Sequence, residues 1–244
     1  MSELKQHIAS AFDRDLEGIQ AQILKMGGLV EVAIHNAAKS LETRDEELAA
    51  EVVRNDQAVD ALDEILNEEA ARVIALRAPT ATDLRVVLSV MRISANLERI
   101  GDLSKNVAKR TSVLAQMTPI NGSTSALRRM AKDVEIMLKD ALDAYIKRDV
   151  ALARDVIERD EEVDQMYNTL FREFLTFMLE DPRNITSCMH LHFIAKNIER
   201  MGDHVTSISE QVVFLTTGAK PDEARTKMDR TSSDPSLTQD IEVE

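Results

Sequence analysis

The sequence predicts an all-α fold, a tandem repeat of two three-helix bundles with six long helices. Composition is the first reason: Ala, Leu, Glu, Asp and Arg dominate, aromatic residues make up only 3%, and Trp is absent. Apolar residues also recur at helical spacing, and the second half of the chain repeats motifs of the first. Since 44% of the 244 residues are hydrophobic, the chain can bury a substantial core.

Turn residues set the bounds of each element. Pro79, Pro119 and Pro182 lie at three breaks, in the segments APTATDLR, MTPINGSTSA and EDPRNITS. Thr80 and Asp83 predict a variant of the capping box where the third helix begins. We expect helices at roughly 5–42, 45–77, 81–117, 124–147, 149–180 and 185–217. The remaining residues, 218–244, are polar with two further prolines, which predicts a disordered acidic tail.

An internal repeat divides the chain into halves. Residues 26–45 align with 130–149 at an offset of 104, whereas the motif ERIGD at 98–102 matches ERMGD at 199–203 at an offset of 101. A turn near Pro79 and Pro182 can absorb the three-residue difference. We therefore expect a first repeat at 1–118, a linker at 119–123 and a second repeat at 124–217, with the halves packed against each other.

Apolar seams run along the third helix of each half. In the last helix the seam steps by four and three residues through Ile194, Ile198, Met201, Val205, Ile208, Val212 and Leu215. The third helix has one seam at Ile93, Leu97, Ile100, Ser104 and Val107, and another at Leu84, Leu88, Met91, Ala95, Glu98 and Asp102. The carboxylates of ERIGD thus occupy an otherwise apolar seam, where unpaired charge is costly to bury.

Four acidic pairs share a spacing of four residues, which places both members of a pair on one helix face. They are Asp56 with Asp60, Glu98 with Asp102, Asp160 with Asp164, and Glu199 with Asp203. In the first half, the two pairs are equidistant from Pro79, and in the second half from the Asp181–Pro182 bond. Because residues equidistant from a turn lie side by side in an antiparallel hairpin, we expect four carboxylates to meet in each half.

Clustered carboxylates suit hard or borderline cations such as Mg, Mn, Fe or Zn, so we expect one metal site per half. Gly101 and Gly202 support this prediction, because a mid-helix glycine costs ~1 kcal/mol and indicates a close backbone approach or room for a metal. Two alternatives stay open: the pairs are solvated helix faces, or Arg99 and Arg200 balance their charge without metal. His204, beside Asp203, is either a surface residue or a further ligand.

Several classes of function are disfavoured. A net charge of -13 argues against nucleic-acid binding, and the single cysteine, Cys188, allows no internal disulfide and fits a reducing compartment. The chain has no apolar signal-peptide core and no run of ~18 apolar residues, so we expect a cytoplasmic protein. There is no Glu-x-x-His pair, phosphate-cradling glycine loop or nucleophile elbow, and no catalytic residue is predicted.

Taken in order, the segments FDRDLEGIQAQILKMG, PTATDLR, ERIGD, MLEDPRNI and ERMGD resemble the PhoU family over residues 5–217. The resemblance implies tandem three-helix bundles whose acidic motifs bind metal clusters in some members. It implies the eight carboxylates above as ligands, with Asp83 and Arg85 of the PTATDLR segment, Arg99 and Arg200 as regulatory or partner-binding residues.

The resemblance also implies a function. It is that of a cytoplasmic adaptor, peripheral to the membrane through its partners, which are the ATPase subunit of the phosphate ABC transporter and a sensor histidine kinase. Such a protein represses phosphate-starvation genes when phosphate is plentiful, and we expect a homodimer. The alternative from a different class is a metal-dependent enzyme, a hydrolase or an oxidase, that uses metals held by the carboxylates.

Overall fold

The computed structural model describes residues 2–120 and 122–219, with side chains for Phe12 and from Arg14 onward. The six long helices are α1 (Ser2–Thr43), α2 (Glu46–Arg77), α3 (Ala81–Leu114), α4 (Ser123–Lys147), α5 (Val150–Glu180) and α6 (Ile185–Thr217). A short 3-10 helix, Pro182–Asn184, joins α5 to α6, and the described residues contain no strand. The predicted all-α fold is thus confirmed, while the predicted tail from 220 onward lies outside the described residues.

The joints between α1 and α2 and between α4 and α5 use the same Arg-Asp pair without Pro or Gly. Arg44 and Arg148 take left-handed backbone conformations, with φ of 57° and 54°. The carboxylate of Asp45 then accepts hydrogen bonds from the amides of Glu47 and Leu48, and Asp149 caps α5 in the same way. The two halves therefore turn their first corner by the same local mechanism.

Each half is a three-helix bundle, and the two bundles share one core. Helices α1, α2 and α3 pack on one another, as do α4, α5 and α6, while α1 also packs on α4 and α3 on α6. The α3–α6 contact is as extensive as the α5–α6 contact within one bundle. Buried side chains from both halves belong to a single hydrophobic cluster. Ser123, the last residue of the linker predicted at 119–123, is the first residue of α4.

Three local predictions need correction. Thr80 stands at the N-cap of α3, but its side chain makes no capping hydrogen bond, so the capping box is wrong. The third helix was expected to reach residue 117, but α3 ends at Leu114. The guanidinium of Arg44 donates to the carbonyls of Leu114 and Met117, both at 2.5 Å, and caps the end of the helix. The second predicted seam of α3 is not buried throughout, since Leu88 is 42% exposed.

The remaining seams are buried as predicted. Every residue of the α6 seam and of the first α3 seam lies in the core. Cys188 is also fully buried, and burial raises the pKa of its thiol. These seams hold α3 and α6 in register, so that each carries its acidic motif opposite the neighbouring helix of its own hairpin.

Candidate functional site

The eight predicted carboxylates lie on two helical hairpins. We call Asp56, Asp60, Glu98 and Asp102, on α2 and α3, the first cluster. The second cluster, on α5 and α6, consists of Asp160, Asp164, Glu199 and Asp203. In the first cluster, the ammonium group of Lys105 contacts carboxylates from both helices, which shows that the hairpin brings α2 and α3 together at the predicted level.

A glycine in α3 and its counterpart in α6 let the first aspartate of each cluster approach the facing helix. A Cβ atom at Gly202 would lie 2.6 Å from Oδ1 of Asp160, closer than side chains tolerate. At Gly101 the added Cβ would lie 3.4 Å from Oδ1 of Asp56. The predicted close backbone approach is therefore confirmed at both glycines, and it is tighter in the second half.

In the first cluster, Lys105 bridges the two helices. Its Nζ lies 2.5 Å from Oδ1 of Asp102 and also forms an ion pair with Oδ2 of Asp56. Burial acts to lower the pKa of Lys105, but the hydrogen bonds to Asp102 and Asp56 outweigh it and raise that pKa. The other oxygen of Asp56, Oδ1, is buried and accepts no hydrogen bond from the described residues. The first cluster thus joins a buried carboxylate, Asp56, to a half-buried one, Asp102, through a resident cation.

The other two acids of the first cluster are half-buried. Burial raises the pKa of Asp60, and the neighbouring charge of Asp56 adds to the effect. Burial likewise raises the pKa of Glu98, although Arg99 opposes it. Arg99 is 63% exposed and lies 3.4 Å from Glu98 and 3.8 Å from Asp102. The alternative that Arg99 balances part of the acidity is therefore realised in the first half, over a solvated surface.

The second cluster is buried more deeply. Asp160, Asp164 and Glu199 are each no more than 2% exposed, whereas Asp56 is the only acid of the first cluster in the core. Lys196 lies 2.9 Å from Glu199, three residues along the same helix, and its ammonium group sits 4.9 Å from the ring centre of Tyr167. A buried carboxylate is costly unless a positive charge, a proton or hydrogen bonds compensate it, so this cluster demands more compensation than the first.

Within the described residues, no three or more His, Cys, Asp or Glu side chains are arranged as the ligands of one metal ion. The donor chemistry nevertheless differs between the clusters. In the first, an ammonium group already contacts two of the oxygens that a metal needs. In the second, the matching position is Thr206, whose hydroxyl donates to the backbone carbonyl of Asp203 at 2.8 Å. Carboxylate oxygens on facing helices are the ligands that divalent cations prefer, and in the second cluster the ammonium group of Lys196 contacts one of them, on Glu199.

Three further candidates are Asp83, Arg85 and Arg200. Asp83 and Arg200 are exposed. The guanidinium of Arg85 lies 5.7 Å from the ring centre of Phe214 and packs against Gly218, so it seats the end of α6 against the start of α3. The PTATDLR segment therefore contributes to contact between the halves rather than to either carboxylate cluster.

His204 is not the surface residue that one interpretation predicted. It is half-buried, and its Nδ1 lies 2.9 Å from the side-chain oxygen of Asn96 on α3. Burial, with Arg200 nearby, lowers the pKa of His204. Because α3 and α6 come from different halves, this contact links the two bundles.

Spacing alone had not identified either lysine of the clusters. Lys105 lies three residues after Asp102, and Lys196 lies three residues before Glu199. The available signal was helical: acid and base three apart share a face. It indicates an ion pair along one helix, but it does not predict that Lys105 also reaches α2.

The PhoU domain family matches this chain twice, at residues 23–111 and 127–212. The chain belongs to the PhoU family. The two PhoU matches begin 104 residues apart and end 101 residues apart, the offsets of the internal repeat, and each covers most of one three-helix bundle.

A phosphate-specific transport system accessory protein, the PhoU homolog of Rhizobium meliloti, is 44% identical over 95% of this chain and 98% of its own length. The crystal structure of PhoU from Pseudomonas aeruginosa superposes with a TM-score of 0.83 at 35% identity, covering 85% of this chain and 100% of that one. The structure of the phosphate transport system regulatory protein PhoU from Streptococcus pneumoniae gives 0.80 at 29% identity, covering 87% and 100%. In the part of the chain that the structure describes, no helix is long and apolar enough to cross a membrane.

Proposed function

We propose that the protein regulates phosphate uptake as a non-catalytic adaptor at the cytoplasmic face of the membrane. Its partners are the ATPase subunit of the phosphate ABC transporter and a sensor histidine kinase, and it represses phosphate-starvation genes when phosphate is plentiful. The observation that carries the proposal is the match of both halves to PhoU domains. Two relatives, an accessory protein in one bacterium and a regulatory protein in another, support it.

The shape and charge of the molecule suit protein binding. The six long helices of the described residues, roughly 38 to 63 Å long at about 1.5 Å per residue, present long faces for partner helices or domains. The net charge of -13 attracts basic surfaces and speeds encounter at low ionic strength. We also propose a homodimer, which light scattering of the purified protein tests by mass.

Deletion of the gene tests the regulatory function. In high phosphate, the deletion strain should express a phosphate-starvation reporter that the parent strain represses, and the plasmid-borne gene should restore repression. Purified protein should bind the ATPase subunit and the cytoplasmic part of the kinase, more weakly as salt rises. A reporter that stays silent in the deletion strain, with no complex formed with either partner, contradicts the adaptor.

As part of the adaptor we propose that carboxylate clusters bind Fe, Zn, Mn or Mg. Asp160, Asp164, Glu199 and Asp203 of the second cluster would hold the ion. A metal ion held there would supply positive charge to the buried carboxylates. The side chains themselves fix the hairpin and keep the site shielded from water, and Gly202 lets Asp160 approach α6.

Turnover separates the adaptor from a metalloenzyme. Metal-loaded protein should hydrolyse phosphoesters and consume oxygen no faster than the free ion does. Sustained turnover that disappears in the Glu199→Gln, Asp203→Asn double variant contradicts the non-catalytic proposal and favours a hydrolase or an oxidase.

A further inference from the structure

Lys105 occupies the centre of the first cluster rather than its rim. Only 21% of its side chain is exposed, and its ammonium group contacts Asp56 on α2 and Asp102 on α3 at once. Asp56 is itself 6% exposed. A single side chain therefore supplies the positive charge between the two helices at the point where a bridging metal ion would coordinate.

A metal ion and this ammonium group compete for the same oxygens. To bind, the ion has to displace Lys105 from Oδ1 of Asp102 and Oδ2 of Asp56. The displaced ammonium group would then lie beside a divalent cation in a poorly solvated site, where like charges repel strongly. Lys105 lies three residues after Asp102 on the same face of α3, so a displaced ammonium group would still be anchored beside the cluster.

The second cluster lacks this arrangement at the matching position. Alignment of ERIGD with ERMGD places Thr206 opposite Lys105. Thr206 is buried and donates to a carbonyl of its own helix, so it brings no charge. Lys196 pairs with Glu199 along α6 from the other side of the motif and packs on Tyr167.

We infer that Lys105 acts as a built-in cation that closes the first cluster to metal ions. The inference rests on the proposed function, in which carboxylate clusters of this kind bind a metal ion. It replaces the metal ion expected in the first half by the ammonium group of Lys105.

Mn²⁺ titration followed by electron paramagnetic resonance tests the inference on the full chain, because the signal reports free Mn²⁺ and needs no activity. Three backgrounds isolate the clusters: the parent, Glu98→Gln with Asp102→Asn, and Glu199→Gln with Asp203→Asn. We expect the first double variant to bind as much Mn²⁺ as the parent, and the second to lose nearly all binding.

Replacement of the lysine provides the direct test. In the Glu199→Gln, Asp203→Asn background, Lys105→Thr, which copies the second half, should strengthen Mn²⁺ binding at least about tenfold because a fixed charge beside the oxygens is removed. The matched control is Lys109→Thr, which removes an exposed lysine one turn further along α3 and should add no binding. Circular dichroism confirms that each variant is helical.

Two results overturn the inference. One is binding of Mn²⁺ to the first cluster while Lys105 is intact. The other is a folded Lys105→Thr variant that binds no more Mn²⁺ than the same background with Lys105. The first result needs no change at Lys105, so the test holds even where that substitution unfolds the protein. A parent that binds no Mn²⁺, beside a Lys105→Thr variant that does, supports the role of the lysine while it refutes the proposed metal site of the second cluster.

Discussion

The two carboxylate clusters share a motif and a place in the hairpin, yet they solve the problem of crowded negative charge differently. The first places one acid in the core and spans two helices with Lys105, while the other acids remain half-solvated. The second buries three acids and pairs Lys196 with one of them along α6. The spacing of acids within a motif therefore determines where a cluster forms, and the neighbours of the motif determine its charge balance.

Removal of the bridging cation should have the largest effect on stability. Lys105→Met leaves Asp56 buried without its ion pair, and we expect the free energy of unfolding to fall by about 3 kcal/mol. This value is at the lower end of the range for broken buried ion pairs, because Asp102 is half-solvated. Urea denaturation at neutral pH measures it. Lys109→Met on the exposed face should change stability by less than about 0.5 kcal/mol. Equal effects of the two substitutions would contradict the bridging role.

A second difference between the halves predicts sensitivity to alkali. Tyr145 is buried in the second half, where the repeat has Leu41 in the first, and burial raises the pKa of Tyr145 to about 12 from 10.0. The folded state therefore keeps the phenol proton longer than the unfolded chain does. The stability from this group is complete below pH 10 and is lost as pH rises through about 12.

Tyr145→Phe should remove this loss. We expect the parent to lose about 2 kcal/mol relative to the variant between about pH 9 and pH 11.5, as measured by urea denaturation at both values. Tyr167, the other tyrosine, stays in both proteins, so it cancels in the comparison. A constant difference between parent and variant across this range would show that Tyr145 does not titrate differently in the two states.

Alanine substitutions at Gly202 and Gly101 compare how closely Asp160 and Asp56 approach the facing helix. Gly202→Ala places a Cβ against Asp160, a buried carboxylate with little room to move, and should lower the free energy of unfolding by about 1 to 2 kcal/mol despite better helix propensity. In Gly101→Ala the added Cβ would lie 3.4 Å from Oδ1 of Asp56 and 3.3 Å from Cγ1 of Val59. The gain in helix propensity should therefore roughly offset the cost of these contacts. Thermal unfolding of both variants ranks them, and a larger loss at Gly101 would reverse the interpretation.

Much of the fold could be predicted because it depends on local signals. The seams of α3 and α6 follow helical periodicity, and symmetry about Pro79 and Pro182 places facing carboxylates at one level. The predicted helix bounds place both Arg-Asp corners correctly, but their mechanism could not be predicted, because Arg44 and Arg148 adopt a left-handed conformation that glycine usually supplies.

The burial of each cluster could not be predicted from spacing, because it depends on side chains outside the motif. Lys196 pairs with Glu199 and packs on Tyr167, whereas the matching positions of the first half hold Ala95 and Asp63. The bridge from Lys105 to α2 was missed for a related reason: its partner is distant in sequence and becomes a neighbour only when the hairpin closes.

The smallest expected effect sharpens the comparison at the solvated edge of the first cluster. Burial and the charge of Asp56 raise the pKa of Asp60, so its ionised form opposes folding. The stability from this group is present below its unfolded pKa and is lost as pH rises through the higher folded pKa. Asp60→Asn should therefore stabilise the protein at neutral pH, by a few tenths of a kcal/mol because solvent screens the charge, and the gain should shrink as pH falls into the acidic range. Glu68→Gln, an exposed acid further along α2, is the control. Urea denaturation at neutral and acidic pH measures both, and a variant less stable than the parent at neutral pH would mean that Asp60 is held by favourable contacts of its charge.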